Sequence, residues 1–185
     1  MRISRSIALT TLAAVTALSV AGCASESDDA PAEHGGHDGH GGHDHPADGG
    51  PAPAGIAEAA DPTYPLGTEV TLTADHMPGM DGATATISGA FDTTAYAVSY
   101  TPTDGGDPVT NHKWVVQEEL DGVGSEKLGA GDTATITAEH MSGMQGAEAT
   151  IDSATDETVY MVDIDSPEMT MKRHKWVVES EIQPK

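Results

Sequence analysis

Gly67-Thr-Glu-Val-Thr-Leu-Thr-Ala74 sets Val70, Leu72 and Ala74 at every second position with Thr between them. A period of two turns the three apolar side chains to one face, the pattern of a half-buried β-strand. The stretch returns as Gly131-Asp-Thr-Ala-Thr-Ile-Thr-Ala138, and the match continues downstream. Ile87, Tyr96 and Val98 recur as Ile151, Tyr160 and Val162, and His112-Lys-Trp-Val-Val116 recurs as His174-Lys-Trp-Val-Val178. The offset falls from 64 residues (76 to 140) to 62 (112 to 174), so the second copy has lost two residues in what reads as a surface loop.

The same alternation runs through Ala83, Ala85 and Ile87, through Tyr96, Val98 and Tyr100, and through Trp114 and Val116. Clusters of Gly, Pro and Asp separate these runs, and no amphipathic helix stands out. The expected fold is all-β. It consists of two tandem homologous antiparallel β-barrel modules of SH3-like size, residues 63–122 and 127–183, joined through Asp121-Gly-Val-Gly-Ser-Glu126. A module of about 60 residues is marginal on its own core, and closing a small barrel is one way to remove its edges. With aromatic residues at only 4% of the chain, Trp114 and Trp176 are expected to anchor the two cores.

The N-terminus carries a different signal. Arg2 and Arg5 precede an apolar run, Ile7 to Val20, and Val20-Ala-Gly-Cys23 has the small-residue pattern of a secretory cleavage site. Residues 1–22 are therefore expected to be a lipoprotein signal peptide and Cys23 the lipidated residue, because Ala-Gly-Cys resembles a lipobox. That would place the protein on the outer face of the bacterial cytoplasmic membrane. Cys23 is the only cysteine, so neither disulfides nor thiolate ligands are open to the rest of the chain.

Residues 23–62 hold Gly, Ala, Pro, Asp and His with little to bury, and a disordered His-rich tether is expected there. Within it His34, His37, His40, His43 and His45 fall inside twelve residues, a spacing suited to Cu(II), Zn or Ni. The net charge of −22, with eight Lys and Arg in all, disfavours nucleic-acid binding.

The residues that carry chemistry follow the first strand of each copy. Asp75-His-Met-Pro-Gly-Met-Asp-Gly-Ala83 and Glu139-His-Met-Ser-Gly-Met-Gln-Gly-Ala147 each set one His and two Met on a Gly-containing loop. Imidazole and thioether are the donors that Cu(I) prefers, which makes His76, Met77, Met80, His140, Met141 and Met144 the candidate ligands. The competing reading makes the Met residues core fillers. His112 and His174 could complete a site from another strand or serve as structural groups bonding backbone carbonyls. Met169 and Met171 with His174 form a further cluster present only in the second copy. Asp75 and Glu139 could tune the ligands through hydrogen bonds. No nucleophile–base–acid arrangement or phosphate loop is seen, and no catalytic activity is expected.

The phrase Asp75-His-Met-Pro-Gly-Met-Asp-Gly-Ala83, the run Ala85-Thr-Ile-Ser-Gly-Ala-Phe-Asp-Thr-Thr-Ala-Tyr-Ala-Val-Ser-Tyr100 and Asn111-His-Lys-Trp-Val115 resemble the YdhK-like bacterial lipoproteins, among them the CopL-type copper-resistance proteins. The resemblance implies an extracytoplasmic, membrane-tethered protein that sequesters copper or hands it to another copper-handling protein. Two rivals stay open. One is a β-module that binds a cell-envelope polymer or a protein partner, and the other an enzyme with a redox copper centre.

Overall fold

The computed structural model describes residues 45–185. Among them every regular element is a strand or a 3₁₀ turn, as the alternation predicts. The first repeat supplies β2 (Glu69–Leu72), β3 (Thr84–Asp92), β4 (Ala95–Tyr100), β5 (Val109–Val116) and β6 (Leu120–Asp121), preceded by β1 (Ala57–Glu58). The second supplies β7 (Thr133–Ile136), β8 (Glu148–Thr155), β9 (Val159–Asp165), β10 (Thr170–Val178) and β11 (Ile182–Pro184). One 3₁₀ turn, Gln117–Glu119, lies between β5 and β6, and its counterpart, Glu179–Glu181, between β10 and β11.

The repeats do not close separate barrels. One open sheet runs β10-β9-β3-β2-β11 with β1 added on β3, and the other runs β5-β4-β8-β7-β6. Each sheet takes strands from both repeats. The exchange occurs at the middle of each copy: β3 pairs with β9 (Ala85 opposite Ile164, Phe91 opposite Val159), while β4 pairs with β8 (Ala95 opposite Thr155, Tyr100 opposite Ala149).

The links explain the exchange. Between β3 and β4 lie only Thr93 and Thr94, and between β8 and β9 only Asp156, Glu157 and Thr158. A tight hairpin of two residues needs positive φ at its turn, which Gly or Asn supplies and a β-branched Thr resists. None of these five residues has positive φ. The chain therefore leaves one sheet and enters the other instead of folding back on itself. The limits 63–122 and 127–183 mark sequence units, whereas the described residues form one compact unit.

Three apolar clusters result. Val70, Leu72, Ile87, Val162 and Ile164 centre the first sheet, and Val98, Ile136, Ala149 and Ile151 the second. The third joins Phe91, Ala95, Trp114, Val116, Val159, Met161, Trp176 and Val178. Both Trp residues thus anchor one shared cluster rather than two separate cores. Ring centroids of Phe91 and Trp176 lie 5.7 Å apart, edge to face.

The tether expected over residues 23–62 is also shorter than composition suggests. Ala52 and Ile56 pack on the shared cluster, Ala57 and Glu58 pair with Asp92 and Phe91, and the Ala59 amide donates to the Ala90 carbonyl. Two apolar side chains and a free strand edge are enough to order this stretch. Cys23, the signal segment and His34, His37, His40 and His43 lie outside the described residues. Among the described residues no helix is long and apolar enough to cross a membrane.

Candidate metal centre between the repeats

His76 and His140 stand just beyond β2 and β7, on loops that turn at Gly79 and Gly82 and at Gly143 and Gly146, all with positive φ. Each imidazole is buried against a carboxylate of the other repeat. Nε2 of His76 lies 2.7 Å from Oε1 of Glu181, and Nε2 of His140 lies 2.9 Å from Oε1 of Glu119. The second oxygen of each Glu accepts an indole N–H: Trp114 donates to Glu181 at 2.9 Å and Trp176 to Glu119 at 2.8 Å. The backbone amides of Val178 and Val116 complete the two carboxylates. Burial pushes both carboxyls up, but the His partners, the indoles and these amides outweigh it and hold both below the usual carboxylate range.

Such a carboxylate fixes the ring. With Nε2 engaged by Glu, Nδ1 is the ring nitrogen left for another partner, the arrangement that orients metal-ligating histidines. Nδ1 of His76 and Nδ1 of His140 are buried and hydrogen-bond to nothing. Nε2 of His112 and Nε2 of His174 are buried and unpartnered as well. These four nitrogens form two repeat-related pairs.

The four rings lie in one neighbourhood. His112 and His140 have centroids 6.2 Å apart, and His45 stands 6.5 Å from His112 and 6.3 Å from His174. Burial, reinforced by repulsion from His140, His45, His76 and His174, lowers His112 to about 3. His174 is lowered to about 3 by burial and by His45, His76 and His140. Both are therefore neutral and carry lone pairs at physiological pH. As they stand, no three His, Cys, Asp or Glu side chains among the described residues form a ready metal cage. Four imidazole ligands around one ion would bring neighbouring centroids to roughly 5 Å. The His112 and His140 rings, 6.2 Å apart, would close by about 1 Å, of the size that rotamer changes supply on binding.

The methionines part company. Met80 and Met144 are fully buried in the aliphatic centres of the two sheets, where they fill space. Met141 is buried at the edge of the second sheet's cluster, and Met77 is half-buried against the first. Met141 lines a cleft of about 610 Å³ together with His45, His140, Glu139 and Lys175. Met171 borders a narrower one with His45, His140 and His174, whereas Met169 packs half-buried on the first sheet. Asp75 and Glu139 are exposed, so the carboxylates that hold the histidines are Glu119 and Glu181. The one signal for them in the sequence is that each follows its His-Lys-Trp-Val-Val copy by three residues.

The comparisons with known proteins agree with this architecture. Residues 66–117 and 130–179 each match the family described as "Protein of unknown function (DUF1541)". The uncharacterized protein YdhK of Bacillus subtilis (strain 168) is 51% identical over 135 residues, which span 72% of this chain and 66% of that relative. The crystal structure of a DUF1541 family protein (ydhK) from Bacillus subtilis subsp. subtilis str. 168 superposes with a TM-score of 0.72 at 50% identity, covering 74% of this chain and 94% of that one. A solution structure of the ydhK C-terminal domain from the same species gives 0.63 at 52% identity over 66% of this chain and 94% of its own. With both repeats matched and a half-identical relative along most of its described length, the chain belongs to the DUF1541 family.

Proposed function

We propose that this is an extracytoplasmic copper-binding lipoprotein which sequesters copper or passes it on, and that the ion is held between the repeats by His76, His112, His140 and His174. The observation that carries the reading is the set of four buried, unpartnered ring nitrogens, two of them on rings braced by carboxylates. Leaving a buried nitrogen unpaired costs about 1–3 kcal/mol, and four in one place need a reason that packing does not supply. An ion satisfies all four at once. Nitrogen donors favour Cu(II) over the other divalent first-row metals, which points to copper ahead of Zn or Ni. The resemblance to CopL-type copper-resistance lipoproteins and the lipobox-like Ala-Gly-Cys23 support the same reading and its location.

The test uses the two indoles as reporters. Trp114 and Trp176 are the only tryptophans, and their rings lie 6.2 Å from His76 and 6.5 Å from His140. Cu(II) in the centre quenches their fluorescence with a stoichiometry of one. Replacing His112 and His174 together by Ala removes that quenching. A double variant that still quenches with the affinity of the natural chain would refute the assignment.

A further inference from the structure

The two repeats present the centre nearly symmetrically, yet among the described residues a strap lies on one side only. Residues 45–50 run along the edge of β10 as a strap. The Lys172 amide donates to the Ala47 carbonyl at 2.8 Å, the Gly49 amide donates back to Lys172 at 2.9 Å, and Asp48 bridges Lys172 in parallel register. The Arg173 guanidinium grips the Asp48 carboxylate through Nε and Nη2. Gly49 lies so close that a Cβ there would stand 2.2 Å from the Arg173 carbonyl oxygen, so any side chain would lift the strap off.

This seat belongs to the second repeat alone. Arg173 has φ of 48° and its amide donates to Asp163 at 2.8 Å; the matching Asn111 has φ of 51° and its amide donates to Ser99 at 3.0 Å. The backbone is the same in both copies, but Asn111 cannot form a bidentate pair with a carboxylate as Arg can. His45 belongs to the strap, and its ring is stacked over His112 and edge-on to His174. His45 also lines both clefts that lead to His140.

We propose that His45 is a fifth imidazole of the inter-repeat centre, held over it by the strap so that the bound ion is retained, and that Arg173 and Gly49 are the positioning residues. The proposal rests on the metal-binding reading above. Because His45 is also the last histidine of the His-rich tract, the tract enters the fold at the ion's own coordination sphere. A ligand that caps one side must leave before the ion does, so it acts on release more than on capture.

The experiment loads the full mature chain with Cu(II), adds excess EDTA and follows recovery of tryptophan fluorescence. Gly49→Ala unseats the strap and leaves every imidazole in place, whereas His45→Ala keeps the strap and removes the ring. Both should release copper about tenfold faster or more than the natural chain, the scale seen when support for a metal site is lost. Arg173→Asn, which installs the first repeat's residue, should do the same and stands in should Gly49→Ala fail to fold. Release rates equal to the natural chain's in the His45 and strap variants would overturn the proposal while leaving the four-histidine site intact. Absence of quenching in the natural chain would instead remove the site itself, and the strap's role with it.

Discussion

The indole of Trp176 in β10 donates to Glu119, which follows β5 of the opposite sheet, at 2.8 Å, and Glu119 in turn holds His140 at 2.9 Å. The reciprocal chain runs from Trp114 to Glu181 to His76. Each carboxylate therefore ties the shared apolar cluster to one histidine of the centre, and loss of either should register in both fold and site.

Replacing Glu119 by Ala leaves an indole N–H, a buried imidazole and the Val116 amide without partners. The expected cost is about 3 kcal/mol, and Glu181→Ala should cost less because that side chain retains some exposure, 13% against 5%. Urea unfolding of the two metal-free variants checks the order. Glu119→Gln, which keeps the shape and one acceptor, should restore most of the loss.

Acid should destabilise the metal-free protein early. His112 and His174 have folded pKa values lowered to about 3 from an ordinary 6.5, so the unfolded chain binds protons that the folded chain refuses. Their contribution is complete above pH 6.5 and is lost as pH falls from there toward 3. Between those limits each histidine adds a slope of up to about 1.4 kcal/mol per pH unit. Glu119 and Glu181, also lowered, extend the loss in the same direction below about pH 4.5. Melting temperatures measured from pH 8 to pH 4 should fall, and the double variant His112→Gln, His174→Gln should show a shallower decline.

The buried methionines should prove dispensable to copper. Met80→Leu with Met144→Leu conserves volume in two aliphatic cores and should cost less than about 1.5 kcal/mol, with Cu(II) quenching unchanged. Met77→Leu with Met141→Leu isolates the two thioethers nearer the histidines. Competitive Cu(I) titration of both double variants shows which pair, if either, contributes. Weakened Cu(I) binding in the first pair would return Met80 and Met144 to the ligand set.

A single repeat should not fold as a monomer. Residues 63–122 alone provide β2 and β3 for one sheet, without β9 beside β3, and β4, β5 and β6 for the other, without β8 and β7 between β4 and β6. Light scattering should find either an unfolded chain or a dimer in which two copies exchange strands. A folded monomer would contradict the interleaving.

Much of this was legible in the sequence. Alternation at Val70, Leu72 and Ala74 or at Tyr96, Val98 and Tyr100 marks strands, because period two is a local property of the chain. Which strand pairs with which is not local: β3 would look the same whether its neighbour were β4 or β9. The sign was the absence of Gly or Asn at Thr93-Thr94. The ligand loops pointed to His76 and His140, but their carboxylates were hidden by distance along the chain, 105 residues from His76 to Glu181 and 21 from His140 to Glu119. Nothing in periodicity joins residues so placed. The reading of His112 and His174 as satisfied structural groups is not what the fold shows, since each leaves Nε2 unpaired in the interior. A register shift interrupts β5 and β10 near each of them, which strict alternation does not anticipate.

The contrast between Arg173 and Asn111 also speaks to ancestry. Two copies that exchange strands about a shared centre have the layout of a homodimer whose subunits became one chain. In a true homodimer every substitution appears twice, so a clasp on one face of the axis would be matched by a clasp on the other, and two straps would compete for one ion. Two copies joined in one chain are free of that constraint. Where the halves differ, one face can carry a cover that the other lacks, as the strap on the second repeat does among the described residues.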